Sequence, residues 1–576
     1  MPVVEQTEVA APTRRGLPAS ILYLFTAILL FGLLFLRRPD ALLNAQFFAE
    51  DGRIFFHDQF LYGGQEALLI PYGGYVLFIQ RMVAMLGSLD PVVDQPLVYN
   101  GAALILAALC CSLFALPAFR CVVKSDLLRV LVCAIVAVGL DSAELVGTIT
   151  QSQWYLQLAG ILLLFYSMRQ DAPRNVPRDI FLAALLLLLA LSVPMLILVV
   201  PFALWALVRL RGTRWLPPLA LMIGVGVQLG VYTMAGIARG QSSLFSFHGL
   251  ISSVALYLAF RAVVSAVIGR PEAMILCADK AILTALLTAA VAIPWLVWLW
   301  RKSDTLARRN ILLCLYFSLA SAVLSVGARN LPRFPITFGG ERYFYLSACC
   351  TVLLVAITVE RIPVTLWGRA AALAAVFAAG IRFNFQVPAY ADMLWPTYSR
   401  QIERWDRQIA GGKAVATLNI PINPPGWSFL LEGDVLSNGG FESVYALPWM
   451  SSGTIHTALT DKYCFAGKSC LEVAGADGAR SQGDVRQLVR ELRPGTAMRA
   501  QVMALESCAA DLQVSLEVQD GHHRVAYAAA DPKMCGRWQP LSVPFRVPAN
   551  GRALLILAYR GSSRMVVWDD AQLQPQ

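Results

Sequence analysis

Long apolar runs separated by short basic connections fill the chain from residue 17 to residue 382, after which polar and apolar positions begin to alternate. A membrane-crossing helix needs roughly 20 predominantly apolar residues. About eleven segments approach that requirement: 19–36, 96–119, 127–146, 154–168, 180–191, 194–208, 215–235, 281–300, 311–326, 343–359 and 366–381. Residues 37–95 form a long loop after the first span, with amphipathic helical character at 75–86. Loops of that length inside a bundle tend to be functional. The run 250–268 is apolar but carries Arg261 near its middle. We read it as an interfacial or re-entrant helix with Arg261 facing water or a lipid headgroup; counting it as a span would invert everything downstream. Residues 389–412 turn polar, and Trp395, Trp405, Arg400, Arg404 and Arg407 suggest a connector at the membrane surface. Beyond it, alternating runs such as 512–518, 541–547 and 553–559, separated by Gly, Pro and Asp, predict strands of an antiparallel β-sandwich. The expected domains are therefore a membrane domain (1–388, with the loop 37–95), a juxtamembrane connector (389–412) and a β-sandwich (413–576).

Composition sharpens this picture. With 57% hydrophobic and 15% charged residues over 576 positions, the chain lies outside the range of soluble globular proteins. Its net charge of +10 does not point to nucleic acid, because most Arg and Lys sit in the short connections, where they orient a membrane protein. Placing Arg14 and Arg15 in the cytoplasm puts Arg120, Lys124, Arg129, Arg169, Arg174, Arg178, Arg209, Arg211, Arg214, Arg301, Lys302, Arg308, Arg309, Arg361 and Arg369 there as well. An odd number of spans then leaves the β-sandwich outside the cytoplasm, and the chain reads as a multi-pass protein of the bacterial inner membrane. The segment 19–36 is followed by Arg37 and Arg38 with no small-residue cleavage site, so it is expected to remain as the first membrane helix. Eight cysteines lie in or beside apolar runs and read as small buried side chains. The other four, Cys464, Cys470, Cys508 and Cys535, fall in the β part, and an even number there suits an oxidising compartment. We expect Cys464 to pair with Cys470 and Cys508 with Cys535.

The tail, through Asn438-Gly439-Gly440-Phe441-Glu442, Pro448-Trp449, Gly467-Lys468-Ser469, Leu471, Pro494-Gly495 and Asp569-Asp570, resembles carbohydrate-binding modules of the galactose-binding-like jelly-roll type over most of 436–573. The resemblance implies that the Asn-Gly-Gly-Phe-Glu turn and the closing Asp pair serve the fold, in some such modules through a structural calcium. Exposed aromatics would stack on sugars, with Trp449, Tyr463, Tyr527 and Trp538 as candidates. The membrane part resembles the GT-C superfamily of polytopic glycosyltransferases in its layout: an inside N-terminus, one span, a long outside loop with acidic residues, then a bundle. Ala49-Glu50-Asp51-Gly52, Glu144 with Gln153-Trp154-Tyr155, and Gly340-Glu341-Arg342-Tyr343-Phe344 carry that likeness. Glu50-Asp51 reverses the Asp-Glu order of protein mannosyltransferases, so either carboxylate matches the catalytic one.

Transfer from a lipid-phosphate sugar to a hydroxyl needs a base for the acceptor proton and positive charge for the departing phosphate. Asp51 is the expected base, because Gly52 leaves room for an acceptor beside it, with Glu50 as the alternative; solvated loop acids or a helix cap are the plain reading of both. His57 is a further base candidate, although a single loop His is more often incidental. Arg329, Arg333 and Arg342 gather at the outside ends of two spans, and Arg grips phosphate bidentately; snorkelling to headgroups is the competing explanation. Tyr343 belongs either to that phosphate site or to an interfacial aromatic belt. Glu144 near a helix end calls for a partner or a cavity, and with Trp154 and His57 it forms a secondary candidate site. A divalent metal at the active site stays open, and no metal-binding residues are assigned. The expectation is a glycosyltransferase moving a pentose such as arabinofuranose, or a hexose, from a polyprenyl-phosphate donor with inversion. The acceptor would be an extracytoplasmic glycan, lipid or protein, and membrane lipids the surroundings. A lipid-linked sugar flippase or a noncatalytic glycan-binding membrane protein are the rival readings.

Overall fold

The computed structural model describes residues 19–64, 67–169, 175–234, 247–329, 340–410, 418–431, 436, 438–442, 449–475, 480–489, 492–509, 511–520, 523–562 and 565–576. Two compact units emerge. One comprises Met1–Asp51, Pro71–Gly87 and Pro96–Tyr390; the other Gly52–Ile70, Ser88–Gln95 and Ala391–Gln576. The long first loop is thus shared between units.

The first unit is helical. Among the described residues eight helices are long and apolar enough to cross a membrane: Ser20–Arg37, Gln95–Ala115, Gly212–Thr233, Leu250–Ile268, Arg270–Arg301, Thr305–Gly327, Glu341–Val359 and Leu366–Asn384. The expected count of eleven is not reached, for an identifiable reason. The run 127–146 is helical only from Asp126 to Gly139 and then turns irregular at Leu140. The helices Gln153–Ser167 and Val176–Ala190 have 15 residues each, about 22 Å at 1.5 Å per residue, short of the roughly 30 Å hydrocarbon core. The run 194–208 is a 3₁₀ segment followed by the helix Val200–Arg209.

The helix over Leu250–Ile268 adds a segment that the sequence left out of the count, and its surroundings differ from expectation. Arg261 does not face water or headgroups. It is 2% exposed, sits 3.2 Å from the Asp141 carboxylate and lies 4.0 Å over the Phe344 ring. An arginine in an apolar run is tolerated here because a carboxylate and an aromatic face replace water. Although long enough to cross, the segment is tied at both halves to one end of the bundle. Tyr257 donates its hydroxyl to Tyr343 O (2.5 Å), and Ser265 O accepts the Asn384 amide (3.1 Å).

The second unit is mainly β. A hairpin pairs β1 (Leu418–Ile422) with β2 (Trp427–Leu431). Ten further strands follow: β3 (Met450–Gly453), β4 (Ile455–Thr460), β5 (Cys470–Gly475), β6 (Arg480–Val489), β7 (Ala497–Glu506), β8 (Gln513–Asp520), β9 (His523–Ala529), β10 (Trp538–Arg546), β11 (Ala553–Ser562) and β12 (Met565–Pro575). They form two five-stranded antiparallel sheets, ordered β10-β7-β12-β5-β4 and β3-β6-β11-β8-β9. Inward positions such as Val473, Val485, Val502, Leu516, Leu557 and Trp568 build one core, as strict alternation requires of two stacked sheets. The connector contains the helix Trp395–Ala410. Its two tryptophans are not surface anchors: Trp395 donates to Val92 O and Val93 O (both 3.2 Å) and packs edge-on against Phe56, while Trp405 is buried beside Phe60.

Both disulfides join the expected partners, Cys464 with Cys470 and Cys508 with Cys535. Cys508–Cys535 closes a loop of sequence separation 27, so opening it with a Cys508→Ser/Cys535→Ser pair is expected to cost about 3 kcal/mol, mainly by freeing the unfolded chain. The separation of only 6 at Cys464–Cys470 predicts a smaller loss. Calorimetry of the full chain checks this ordering; an unchanged midpoint on opening Cys508–Cys535 contradicts it.

Candidate active site

Four chain segments of the helical unit converge at one end of the bundle around two buried polar side chains. Arg37, at the end of its helix, donates through Nη1 to Ala137 O (3.1 Å) and Ser142 Oγ (2.9 Å), and through Nη2 to Leu140 O (3.0 Å) and Asn384 O (2.7 Å). Asn384, at the end of the last bundle helix, donates to Gly139 O and Ser265 O and accepts the Arg270 N–H (2.9 Å). These bonds satisfy helix-end carbonyls that would otherwise be orphaned. The first and the last helix of the bundle therefore end together. Elsewhere in the bundle, Arg120 pairs with Asp126, the Ser125 N–H donates to Glu360 (3.0 Å) and Asn310 donates to Cys121 O (2.9 Å). Those helix ends carry part of the basic set that the sequence assigns to the cytoplasm.

The loop beyond Arg37 delivers the two adjacent acids in different directions. Ala49 adopts a left-handed backbone (φ 47), a conformation that costs a non-glycine residue roughly 1–2 kcal/mol. It is followed by a π-helical turn, Asp51–Phe56. Asp51 is fully buried. Its Oδ2 accepts the Ile149 N–H (2.9 Å), and its Oδ1 accepts the Thr150 N–H (2.9 Å) and the Thr150 hydroxyl. Asp51 thus caps, from a distant segment, the turn that leads into the helix Gln153–Ser167. Glu50 is half-buried, accepts the Tyr72 hydroxyl (3.3 Å) and lies within electrostatic range of Arg342.

Burial pushes the Asp51 carboxyl up to about 7, against the three donors, which favour its anion. The sign of the consequence is definite. Between pH 4 and 7 the folded protein keeps a proton that an unfolded aspartate, with a pKa of about 3.9, releases. Unfolding free energy then falls as pH rises through that window, by up to roughly 1.4 kcal/mol per unit. The thermal midpoint of the wild type should fall more steeply with pH than that of Asp51→Asn; parallel curves would show that Asp51 is ionised throughout.

Arginines and carboxylates alternate around this end. Arg342 pairs with Glu144, and the Glu144 N–H donates to Glu341 Oε2 (2.7 Å). Glu341 pairs with Arg270, whose Nη1 is also 3.8 Å from Asp141, the partner of Arg261. The Tyr343 ring lies under the Arg342 guanidinium (5.1 Å) and meets Trp154 edge-on (5.3 Å). Of the residues singled out from sequence, the structure brings together Arg342, Tyr343, Glu144 and Trp154, with Glu50 in range of the same arginine. His57 belongs elsewhere: it hydrogen-bonds Leu430 O (3.1 Å) and packs on Phe429 in the second unit. Arg333 and the side chain of Arg329 lie outside the described residues. Arg270 and Arg37 went unnoticed as site residues. Their signal was Arg270 directly before Pro271 at the start of a helix, and Arg37 as the last residue of one.

In the sandwich, one cross-strand row on the outer face of the second sheet runs Met450, Arg486, Ile556, Glu517, Tyr527. Arg524 grips Glu517 through Nε (3.1 Å) and Nη2 (3.0 Å) and lies 4.7 Å over the Tyr527 ring. Of the aromatic candidates, Tyr463 and Tyr527 are exposed, at 64% and 49%, and Trp538 is partly exposed against Phe465. Trp449 is a core residue, with its indole N–H donated to Asn438 O (3.1 Å). The Asn-Gly-Gly-Phe-Glu turn serves the fold. A Cβ on Gly439 would stand 1.8 Å from Ala571 O, so only glycine lets β12 come this close. The acids that a structural calcium would use are engaged by amides. Glu442 Oε1 accepts the N–H groups of Lys468 (2.6 Å) and Ser469 (3.0 Å); Asp569 accepts those of Phe465, Ala466 and Asp570. These carboxylates clamp the loop before β5 directly through backbone amides. Cys464, Cys470 and Asp569 lie close together, but the disulfide removes both thiolates as ligands.

The chain is therefore a protein with a bundle of apolar, membrane-length helices and a C-terminal antiparallel β-sandwich. Among solved structures it is similar to TmCBM61 in complex with beta-1,4-galactotriose, at 17% identity over 25% of this chain and 99% of that one, with a TM-score of 0.22. It is also similar to the CBM22-1 xylan-binding domain from Paenibacillus barcinonensis Xyn10C (17% identity, 25% and 94% covered, TM-score 0.20). A third is the C-terminal family 22 carbohydrate-binding module of Clostridium thermocellum Xyn10B (17% identity, 24% and 96% covered, TM-score 0.20). No family model and no curated protein matches the chain.

Proposed function

We propose that this protein is a membrane glycosyltransferase that moves a sugar from a polyprenyl-phosphate carrier to an extracytoplasmic glycan, lipid or protein hydroxyl, with inversion. The observation that carries the reading is the gathering of Arg342, Glu144, Tyr343 and Trp154 at the end of the bundle where the first loop presents Glu50. Glu50 is the better base of the adjacent pair. It is half-exposed and bonds a neutral hydroxyl, whereas both Asp51 oxygens are taken by N–H and O–H donors. Asp51 holds the frame. Arg342 grips the phosphate in exchange for Glu144, and Tyr343 with Trp154 walls the site. Arg486, Arg524 and Tyr527 on the outer face of the sandwich offer charged groups and an aromatic ring to an acceptor glycan. The basic connections favour the cytoplasm, which leaves the site and the sandwich on the outer side of a bacterial inner membrane.

Arg342→Ala is expected to weaken binding of a defined polyprenyl-phosphoryl sugar more than Arg342→Lys, because lysine keeps the charge and loses the planar fork. Equal donor affinity in wild type and both variants removes Arg342 from the site. Reporter fusions after Gln576 test the sidedness: alkaline phosphatase should be active, and activity of a cytoplasmic reporter alone would overturn the orientation.

A further inference from the structure

We infer that Arg270 is the second cation of the donor-phosphate site, held by Glu341 until the phosphate arrives, and that it takes up the charge appearing on the phosphate as the sugar departs. The inference rests on the transferase reading and deepens it. Two guanidinium groups, Arg342 and Arg270, are joined through two glutamates: Arg342 pairs with the Glu144 carboxylate, the Glu144 backbone N–H donates to Glu341, and Glu341 pairs with Arg270. Their accessibility separates the arginines into two kinds. The side chains of Arg270 and Arg342 are 34% and 20% exposed, whereas that of Arg261, which completes the chain through Asp141, is 1% exposed. Arg261 fixes the frame, and the other two can reach a ligand.

The backbone of Arg270 is fixed independently of its ion pair. Its N–H is held by Asn384 Oδ1 at 2.9 Å. Gly269 before it has φ +91, and a Cβ there would stand 2.6 Å from the Phe383 Cβ. Both the conformation and the space demand glycine, so the helix starts at Arg270 in one register. A side chain so rooted changes partners by rotamer alone.

The charge accounting gives the role. In the step, the acceptor oxygen forms a bond to the anomeric carbon as its proton passes to Glu50. The bond between the anomeric carbon and the phosphate oxygen breaks, and its electron pair stays on the phosphate. A phosphodiester with one negative charge becomes a polyprenyl monophosphate approaching two. In the resting arrangement Glu144 and Glu341 neutralise Arg342 and Arg270. The donor needs one of these cations to bind, and the second is required only as the new charge develops, which is where a cation lowers the barrier rather than the ground state. Phosphate competes well for a guanidinium, because it accepts the planar fork bidentately.

The test uses the full chain in nanodiscs, with a polyprenyl-phosphoryl sugar for turnover and polyprenyl phosphate for equilibrium binding; inorganic phosphate serves as the control that lacks the polyprenyl chain. Arg270→Gln should lower kcat on the order of 10²-fold and change the donor KM less than about 2-fold, an expectation for a group acting mainly in the transition state. It should weaken polyprenyl phosphate more than the donor, and Arg270→Lys should recover part of both losses. Glu341→Gln, which keeps an acceptor for the Glu144 N–H while releasing Arg270, should tighten polyprenyl phosphate, a change of sign that misfolding cannot imitate. Unchanged kcat and product affinity in Arg270→Gln overturn the inference. So does a loss unrelieved by lysine and accompanied by weaker product binding in Glu341→Gln, which marks a structural ion pair. If polyprenyl phosphate binds with these signs but no donor sugar is transferred by the wild type, the transferase reading fails while the phosphate site stands.

Discussion

Glu50→Gln is expected to lower turnover of a polyprenyl-phosphoryl sugar by a factor on the order of 10²–10⁴, the usual cost of removing a general base, with donor affinity and thermal midpoint close to wild type. The amide keeps the shape of the side chain and an acceptor for the Tyr72 hydroxyl, so packing changes little while the proton acceptor is gone. Asp51→Asn should behave differently. One amide group cannot accept all three donors from Ile149 and Thr150, and an unsatisfied buried donor costs about 1–3 kcal/mol. Its first effect is therefore on stability. Should Asp51→Asn be inactive at unchanged midpoint while Glu50→Gln turns over normally, the two roles are exchanged. Should both variants remain active, this end of the bundle is not the catalytic centre.

Arg37→Met is expected to be the most destabilising single change in the bundle. The guanidinium donates four bonds to acceptors on two separate stretches of chain, residues 137–142 and Asn384, and it is 2% exposed. Methionine matches much of its length but donates nothing, and hydrogen bonds to charged groups are worth roughly 1.5–3 kcal/mol each. The loss should reach several kcal/mol, read as a large drop in thermal midpoint of the purified protein in detergent, with activity failing alongside. A midpoint within a degree or two of wild type would mean that water replaces these contacts and that the junction is loose.

Much of the architecture was legible because membrane helices and sandwich strands announce themselves by different periods. The basic connections, the four cysteines of the tail and the Asn-Gly-Gly-Phe-Glu turn all carried physical meaning before any coordinates. The failures are equally physical. Apolar runs count hydrophobic residues whether or not they are helical, so Leu140–Val146, which leaves the helix and makes only a 3₁₀ turn at Ala143–Leu145, was absorbed into a span at 127–146. Arg261 looked like a residue for an interface because its partner, Asp141, is 120 positions away in sequence. The choice between Glu50 and Asp51 turned on room beside Gly52. What sets the two acids apart in the structure is the left-handed turn at Ala49 and the donors of Ile149 and Thr150, none of which the local sequence displays. Arg342, Glu144, Tyr343 and Trp154 were each named separately. Their convergence follows from the Tyr343 and Trp154 rings and the Arg342–Glu144 pair linking helices far apart in the chain.

The central claim is tested most directly by incubating the purified full chain, in nanodiscs, with anomerically defined polyprenyl-phosphoryl pentoses and hexoses and a panel of envelope glycan acceptors, and following the anomeric signal by NMR. The account predicts that one donor is consumed, that polyprenyl phosphate and a glycoside of inverted configuration appear in equal amounts, and that Glu50→Gln suppresses both. Binding of glycans and of polyprenyl phosphate without formation of a glycoside from any donor, or a product of retained configuration, would contradict it.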